Sequence, residues 1–200
     1  FNSKDADDNI LYTFKYMYKG AFPMKLLILS GSAFPDSHTH SIARLIESLV
    51  EQPEHEVTHI DLREKDIPIF GQGKTEDIEF LKRHAENADA IIIGTPNYHT
   101  SFSGLLKNAL DHLSIDEFEM KPVGLFCNSG GMRNSDPLTQ LRMVMRGVHA
   151  MVLPLQVCTC DEDFEKTGDG YRLVNDALRE RLSVMIDGLV RQSHSETISI

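Results

Sequence analysis

Four apolar residues, Ala90 to Ile93, run into Gly94 and then into a polar loop from Thr95 to Ser103, after which Gly104 to Asp111 reads as a helix. An unbroken apolar run of this length suits a strand covered on both faces, as in a parallel sheet. In open α/β sheets ligands sit outside the carboxyl ends of the strands, so the loop from Thr95 to Ser103 is the first candidate for a site.

The rest of the chain repeats the same grammar. Lys25 to Leu29 reads as a first strand, followed by a segment of hydroxyls and imidazoles from Ser30 to Ser41. Ile42, Leu45, Ile46, Leu49 and Val50 then recur at helical spacing. Val57 to Leu62 supplies a second strand and Arg63 to Lys74 a charged loop with Pro and Gly. Thr75 caps a helix whose first turn carries Glu76 and Asp77, favourable at the positive end of its dipole. Val123 to Asn128 is the fourth strand and ends in Ser129-Gly130-Gly131. Asp136-Pro137 reads as the N-cap and first position of a helix with Leu138, Leu141, Met145 and Val148 on one face. Met151 to Val157 is the fifth strand, Asp161 to Asp169 an acidic loop, and Val174 to Arg191 a last helix.

Strands alternating with helices imply crossover connections and a mostly parallel sheet. Five such units predict a single α/β domain, a flavodoxin-like three-layer sandwich with strand order 2-1-3-4-5. Its expected span is 24–191. Residues 1–23, with their acidic and aromatic alternation, are expected to be an extension outside the fold, and 192–200 a loose polar tail.

A net charge of −10 argues against nucleic acid or an anionic membrane as partner. No window approaches the ~18 consecutive apolar residues of a membrane span, and no secretory leader is expected at the start. Three cysteines, Cys127, Cys158 and Cys160, lie in or near expected strands; their odd number speaks against a disulfide framework and for the cytoplasm.

In the expected strand order the loops after strands one and three flank the crevice, and the polar clusters follow strands one, three and four. The first offers Ser30, Ser32, Ser37, Thr39 and Ser41 just before a helix N-terminus, where free amides and hydroxyl donors suit an anion. Only Gly31 stands where a dinucleotide loop needs several glycines, so side-chain donors fit a terminal phosphate better; a merely capped, serine-rich loop is an equal reading. Tyr98, behind Pro96, is either a platform for a flat ring or a packing residue. Ser129-Gly130-Gly131 lets backbone approach a ligand, or is simply a turn.

Other signals fail on spacing. Gly71 to Thr75 ends like a triphosphate-binding loop, but Pro68 stands where the first glycine is needed. His38-x-His40 and Cys158-x-Cys160 lack partner ligands at metal spacing. Asp111-His112 reads as helix surface rather than a catalytic pair.

Gly31-Ser32 with Ser37 downstream, Thr95-Pro-Asn-Tyr98, Gly104 to Asp111, and Leu141 to Pro154 together resemble the NADPH-dependent FMN reductases, particularly their azobenzene reductase branch. The resemblance spans about Met24 to Val157. It implies non-covalent FMN, NADPH or NADH as electron donor, a small-molecule acceptor such as a quinone, azo compound or free flavin, and a homodimer or homotetramer. It assigns the phosphate to Ser32, Ser37, His38, Thr39 and His40, and the flavin ring to Pro96, Asn97, Tyr98 and His99. Asn128, Ser129, Gly130 and Gly131 are assigned the glycine loop, and the helix of Lys107, Asn108 and Asp111 the subunit contact. No side chain is assigned as a catalytic acid or base, because the cofactor carries the chemistry. Three positions depart from the family pattern. Phe34 replaces an arginine, Asn97 a glutamate, and a glycine is missing around His99-Thr100. His38 or His40, if protonated, can partly replace the arginine. The alternatives to the enzyme are a flavodoxin-type electron carrier without nicotinamide turnover, and a module that has lost its ligand.

Overall fold

Successive side chains of a strand leave opposite faces, so a strand apolar at every position needs cover on both sides. The computed structural model describes residues 23–50, 55–168 and 170–195 and meets that need with helices on both faces of one parallel sheet. Strands β1 (Lys25–Ser30), β2 (Glu56–Asp61), β3 (Ala90–Pro96), β4 (Pro122–Asn128) and β5 (Met151–Thr159) lie in the order β2-β1-β3-β4-β5, as expected. Helices α1 (His38–Val50) and α6 (Asp176–Ser195) cover one face. Helices α2 (Glu76–Asn87), α3 (Gly104–Asp111) and α5 (Asp136–Gly147) cover the other, with the short α4 (Ile115–Phe118) beside them.

The alternation is legible residue by residue. Leu26, Ile28, Ala90 and Ile92 pack with Ile42, Ile46, Leu182, Met185 and Leu189. Their chain neighbours Leu27, Leu29, Ile91 and Ile93 pack with Leu81, Leu106, Leu110, Leu138 and Leu141. Gly94 interrupts the run on β3 for a steric reason: a Cβ there would lie 2.0 Å from the ring of Phe126 on neighbouring β4. Phe126 thereby fills the core on the side of α1 and α6.

Edge strand β5 takes Pro154 without losing an interior ladder bond. Its register against β4 shifts between Val123 and Leu125. Arg142 of α5 closes the irregularity, donating to Leu153 O at 2.6 Å, Pro154 O at 3.1 Å and Gln156 Oε1 at 2.8 Å.

Several boundaries differ from expectation. Residues 161–168 and 170–173 are not an open loop. A single 3₁₀ turn, Asp161–Asp163, leads into the antiparallel hairpin β6 (Phe164–Thr167) and β7 (Gly170–Leu173). Arg133 and Asn175 both donate to Asp163, which is almost fully buried, and Val174 N bonds its carbonyl, so the hairpin is tied down at its base. Helix α6 begins two residues after Val174 and runs to Ser195, into the stretch expected to be loose. Ser135, not Asp136, takes the cap position of α5, and Asp136 is its first residue. Thr75 caps α2 as expected, accepting from Ile78 N. The expected extension falls on residues 1–22, outside the described ones, and on Pro23. No described helix is long and apolar enough to cross a membrane.

Candidate functional site

The three polar loops that follow β1, β3 and β4 meet at the carboxyl edge of the sheet and are tied to one another through backbone. Gly31 N donates to Gly94 O at 2.9 Å, and Asn97 N donates to Asn128 O at 2.7 Å. Ser103, the cap of α3, donates from its hydroxyl to Gly31 O and accepts from Leu106 N. Gly31 allows this approach; a Cβ there would stand 2.7 Å from Leu106 Cβ.

In the first loop Ser37 caps α1, its Oγ accepting from His40 N at 3.1 Å and its carbonyl accepting from Ser41 N. Helix geometry leaves the His38 and Thr39 amides without a partner one turn back, so they remain for an external acceptor. The Thr39 side chain is 1% exposed, and among the described residues its Oγ1 has no hydrogen-bond partner. Ser32 is buried and its Oγ accepts from Phe34 N.

The two imidazoles do not join this cluster. His38 packs against the hairpin, its ring meeting those of Tyr171 and Phe164 with centroids 3.9 and 4.4 Å away. The Asn128 amide donates to Asp161 Oδ1 at 3.1 Å and lies 3.3 Å from His38 Nδ1, which is itself 3.3 Å from Asp161 Oδ1. His40 turns the other way, toward Asp61 at 3.3 Å and the ring of His59. Burial pushes the His38 imidazole below its ordinary value despite the pull of Asp161. His40 is lowered too, again chiefly by burial, against the attraction of Asp61. The expectation that one of them replaces a missing arginine as a cation is therefore corrected: both are disposed to stay neutral.

In the second loop Tyr98 and Ser101 exchange both backbone hydrogen bonds, at 2.9 and 3.1 Å, closing a two-residue turn. His99 and Thr100 both have positive φ, 53° and 68°. This combination defines the turn type usually built from Asn-Gly. Tyr98 is half-buried, and among the described residues neither its hydroxyl nor Asn97 Oδ1 has a hydrogen-bond partner. Phe34, 64% exposed, meets the Tyr98 ring edge-on at 6.4 Å.

In the third loop Asn128 is spent internally, since its Oδ1 also accepts from Thr159 Oγ1 at 2.8 Å. Ser129 Oγ donates to Met132 O and accepts from Asn134 N, which shapes the loop, while Gly130 takes φ 67° and its carbonyl accepts from Asp161 N. Gly131 is exposed. Beneath this loop Cys127 and Cys158 face each other across β4 and β5.

On α3, Asn108 holds the loop after β2, donating to Ile67 O and Pro68 O and accepting from Phe70 N. His112, expected at the surface, is buried and bonded to Pro68 O. Lys107 and Asp111 pair with each other on the exposed side.

Three residues at this edge escaped the sequence reading: Thr159, Asp161 and Gln140, the last bonded to Thr100 O and to Ser101 Oγ. Their contacts join segments tens of residues apart, and no local pattern marks them.

The donor set fits FMN. Two helix amides, a buried hydroxyl without a partner and a capped N-terminus match a phosphate monoester. The unpaired amide oxygen of Asn97 and the hydroxyl of Tyr98 match the polar edge of a ring, and Gly130-Gly131 leave one side clear of side chains.

The model of the NADPH-dependent FMN reductase family matches residues 24–164. An FMN-dependent NADPH-azoreductase of Staphylococcus saprophyticus is 39% identical over 176 residues, 84% of this chain and 94% of the relative. One of Staphylococcus aureus is 44% identical over 172 residues, 80% and 92% respectively. Among solved structures, the flavoenzyme FerB from Paracoccus denitrificans, an NAD(P)H:(acceptor) oxidoreductase, superposes with a TM-score of 0.70 at 20% identity, over 86% of this chain and 97% of that one. With its sheet order, its three joined loops and these matches along most of its length, the chain belongs to the NADPH-dependent FMN reductase family.

Proposed function

We propose that the crevice formed by the loops after β1, β3 and β4 binds FMN, and that the protein works as an FMN-dependent NAD(P)H oxidoreductase. The observation that carries the site assignment is that three buried polar atoms at one sheet edge, Thr39 Oγ1, Asn97 Oδ1 and Tyr98 OH, have no hydrogen-bond partner among the described residues. Leaving such groups unmatched costs about 1–3 kcal/mol each, so they point to a ligand that completes them.

The chemistry FMN supplies when bound is acceptance of a hydride equivalent from a reduced nicotinamide and its delivery to an acceptor. Thr39, Ser32 and the amides that open α1 hold the phosphate. Asn97, Tyr98 and the turn they begin meet the ring system, and Ser129 to Gly131 close the opposite side. Phe34 and Met132, 64% and 81% exposed, give the rim an apolar character suited to a flat donor or acceptor. No side chain here is needed as a proton donor of its own. The acceptor is an azo compound, quinone or free flavin, the first being what the staphylococcal relatives are named for.

Lys107 and Asp111, with the exposed Ile69 and Phe70 on the loop that Asn108 holds, support a subunit contact on this side and hence a homodimer or homotetramer. Three free cysteines suit a reducing cytoplasm.

An anaerobic titration tests the function. The FMN-loaded protein should bleach at its flavin band on addition of NADPH or NADH and recover with an azo dye or quinone, with ping-pong initial-rate patterns. Retained colour without bleaching by either nicotinamide would instead make the protein an electron carrier.

A further inference from the structure

The turn from Tyr98 to Ser101 is held in a conformation its own residues disfavour. His99 and Thr100 both lie in the left-handed region, at φ 53° and 68°. A β-branched residue there is a true outlier, and neither position has the glycine that would adopt the conformation freely. Something outside the turn must hold it.

Among the described residues, the side chain hydrogen-bonded to Thr100 and Ser101 is Gln140. Gln140, on the second turn of α5, donates from Nε2 to Thr100 O at 2.7 Å and accepts from Ser101 Oγ at 2.6 Å. The amide thus grips both a strained residue and its successor, across a separation of about forty residues. Helix α5 is itself fixed: Leu138, Leu141 and Met145 are fully buried, and Arg142, two residues from Gln140, is bonded to β5. The other ends of the loop are pinned by Asn97 N to Asn128 O and by Ser103 N to Thr95 Oγ1, which leaves Gln140 as the restraint on the tip.

We propose that Gln140 is a positioning residue for the cofactor: its paired hydrogen bonds hold the strained Tyr98–Ser101 turn in the shape that presents Asn97 and Tyr98 to the FMN ring. The inference rests on the proposed site. It assigns a role in flavin binding to a side chain whose two hydrogen bonds both go to the turn. The strain makes the restraint necessary, since without Gln140 the two left-handed residues relax and carry Tyr98 with them.

The test uses Gln140→Ala, Thr100→Gly, the double variant and Thr39→Val, with FMN affinity read by quenching of flavin fluorescence. Gln140→Ala should weaken FMN binding by about tenfold. Adding Thr100→Gly to it should restore most of the loss, because glycine takes the left-handed conformation without help. A purely structural role for Gln140 would not be rescued this way. In FMN-free protein, the Tyr98 and Ser101 amides should exchange faster with solvent in Gln140→Ala at an unchanged global unfolding midpoint. Ser101→Ala, which removes one of the two bonds and leaves α5 intact, should move affinity and exchange in the same direction by a smaller amount. If Gln140→Ala leaves FMN affinity unchanged while Thr39→Val weakens it, the positioning role is overturned and the site stands. If neither changes it, both the role and the site beneath it fall.

Discussion

Thr39→Val separates what the site does for the folded protein from what it does for its cofactor, because the two effects have opposite sign. The substitution keeps the branched shape and replaces one hydroxyl by a methyl. Thr39 is 1% exposed and its Oγ1 has no partner, so the wild-type chain buries a hydroxyl that water would otherwise solvate. Relieving such a group returns about 1 kcal/mol, the lower part of the range for a buried unsatisfied donor. Valine and threonine have similar helix propensity, so little is lost there. The FMN-free variant should therefore unfold about 2–4 °C higher than wild type. Against FMN the sign reverses. A hydroxyl donating to a phosphate is a charge-assisted bond, and hydrogen bonds to charged groups contribute about 1.5–3 kcal/mol. At 1.4 kcal/mol per tenfold, Kd should rise about ten- to hundredfold. Ser37→Ala provides the contrast: it removes the cap on His40 N and should cost about 1 kcal/mol in the FMN-free protein. Thermal unfolding of stripped protein and fluorescence titration with FMN read the two quantities. A Thr39→Val protein that is less stable without FMN and binds it unchanged would refute the assignment of this hydroxyl to the phosphate.

Acidification should destabilise the FMN-free protein before carboxylates titrate. Burial is the main cause holding His38, His40 and His59 below the ordinary imidazole value, against the attraction of Asp161, Asp61 and Glu47 respectively. The unfolded chain then binds more protons below about pH 6.5, so stability is complete above that value and falls as the pH drops through the folded values. An unfolding midpoint that holds level or rises between pH 7 and pH 5 would contradict the neutral-ring picture. Among the thiols, Cys158 is half-buried and brought down to about 7, chiefly by its hydrogen bond with Cys127 and further by Ser129, Asn134 and the charge of Arg133, against burial. That same bond, together with burial, pushes Cys127 up. Iodoacetamide should alkylate Cys158 with half-maximal rate near pH about 7, and Cys127 and Cys160 only on unfolding. Peptide mapping that shows Cys158 titrating as an ordinary thiol near about 8.5 would remove it from this arrangement.

What could be read in advance follows the range of the physics. Ile91, Ile92 and Ile93 announce a strand buried on both faces whatever surrounds them, and Thr75 or Ser103 can cap a helix with only the next turn to help. The hairpin β6–β7 has no such autonomy. Its strands are four residues each, with Glu165, Lys166 and Arg172 exposed, and it is held by the buried Asp163 and by stacking on His38. His38, and Arg133 that holds Asp163, are distant in sequence. The site shows the same division. A loop of hydroxyls before a helix is visible, but which way each residue faces is set by the helix. His38, Thr39 and His40 are successive positions at about 100° intervals, so they cannot all face one ligand. Thr39 takes the central direction, His38 turns to the hairpin and His40 to β2. Gln140 has no local signature, because its contacts lie about forty residues back along the chain.

The same geometry bears on how the proposed site can hold an anion, where the family resemblance expects an arginine and this chain has Phe34. Two carboxylates flank the opening of α1, Asp61 on the side of β2 and Asp161 on the side of the hairpin. Left alone, either would oppose a phosphate at that position. Arg63 takes up Asp61 at 3.1 Å, and the Asn128 amide takes up Asp161 at 3.1 Å. The imidazoles between these carboxylates and Thr39 stay neutral because burial disfavours their charge, so they insulate the opening without charging it. In the proposed site what remains for the phosphate is the positive end of α1, equivalent to about half an elementary charge, two free amides and the Thr39 hydroxyl. Oriented dipoles in a partly buried setting lose less to salt than a solvated guanidinium does, and they need no cation to be carried into the interior. In that arrangement Phe34 is not needed by the phosphate, and its edge contact is with Tyr98, the residue proposed to meet the flavin ring.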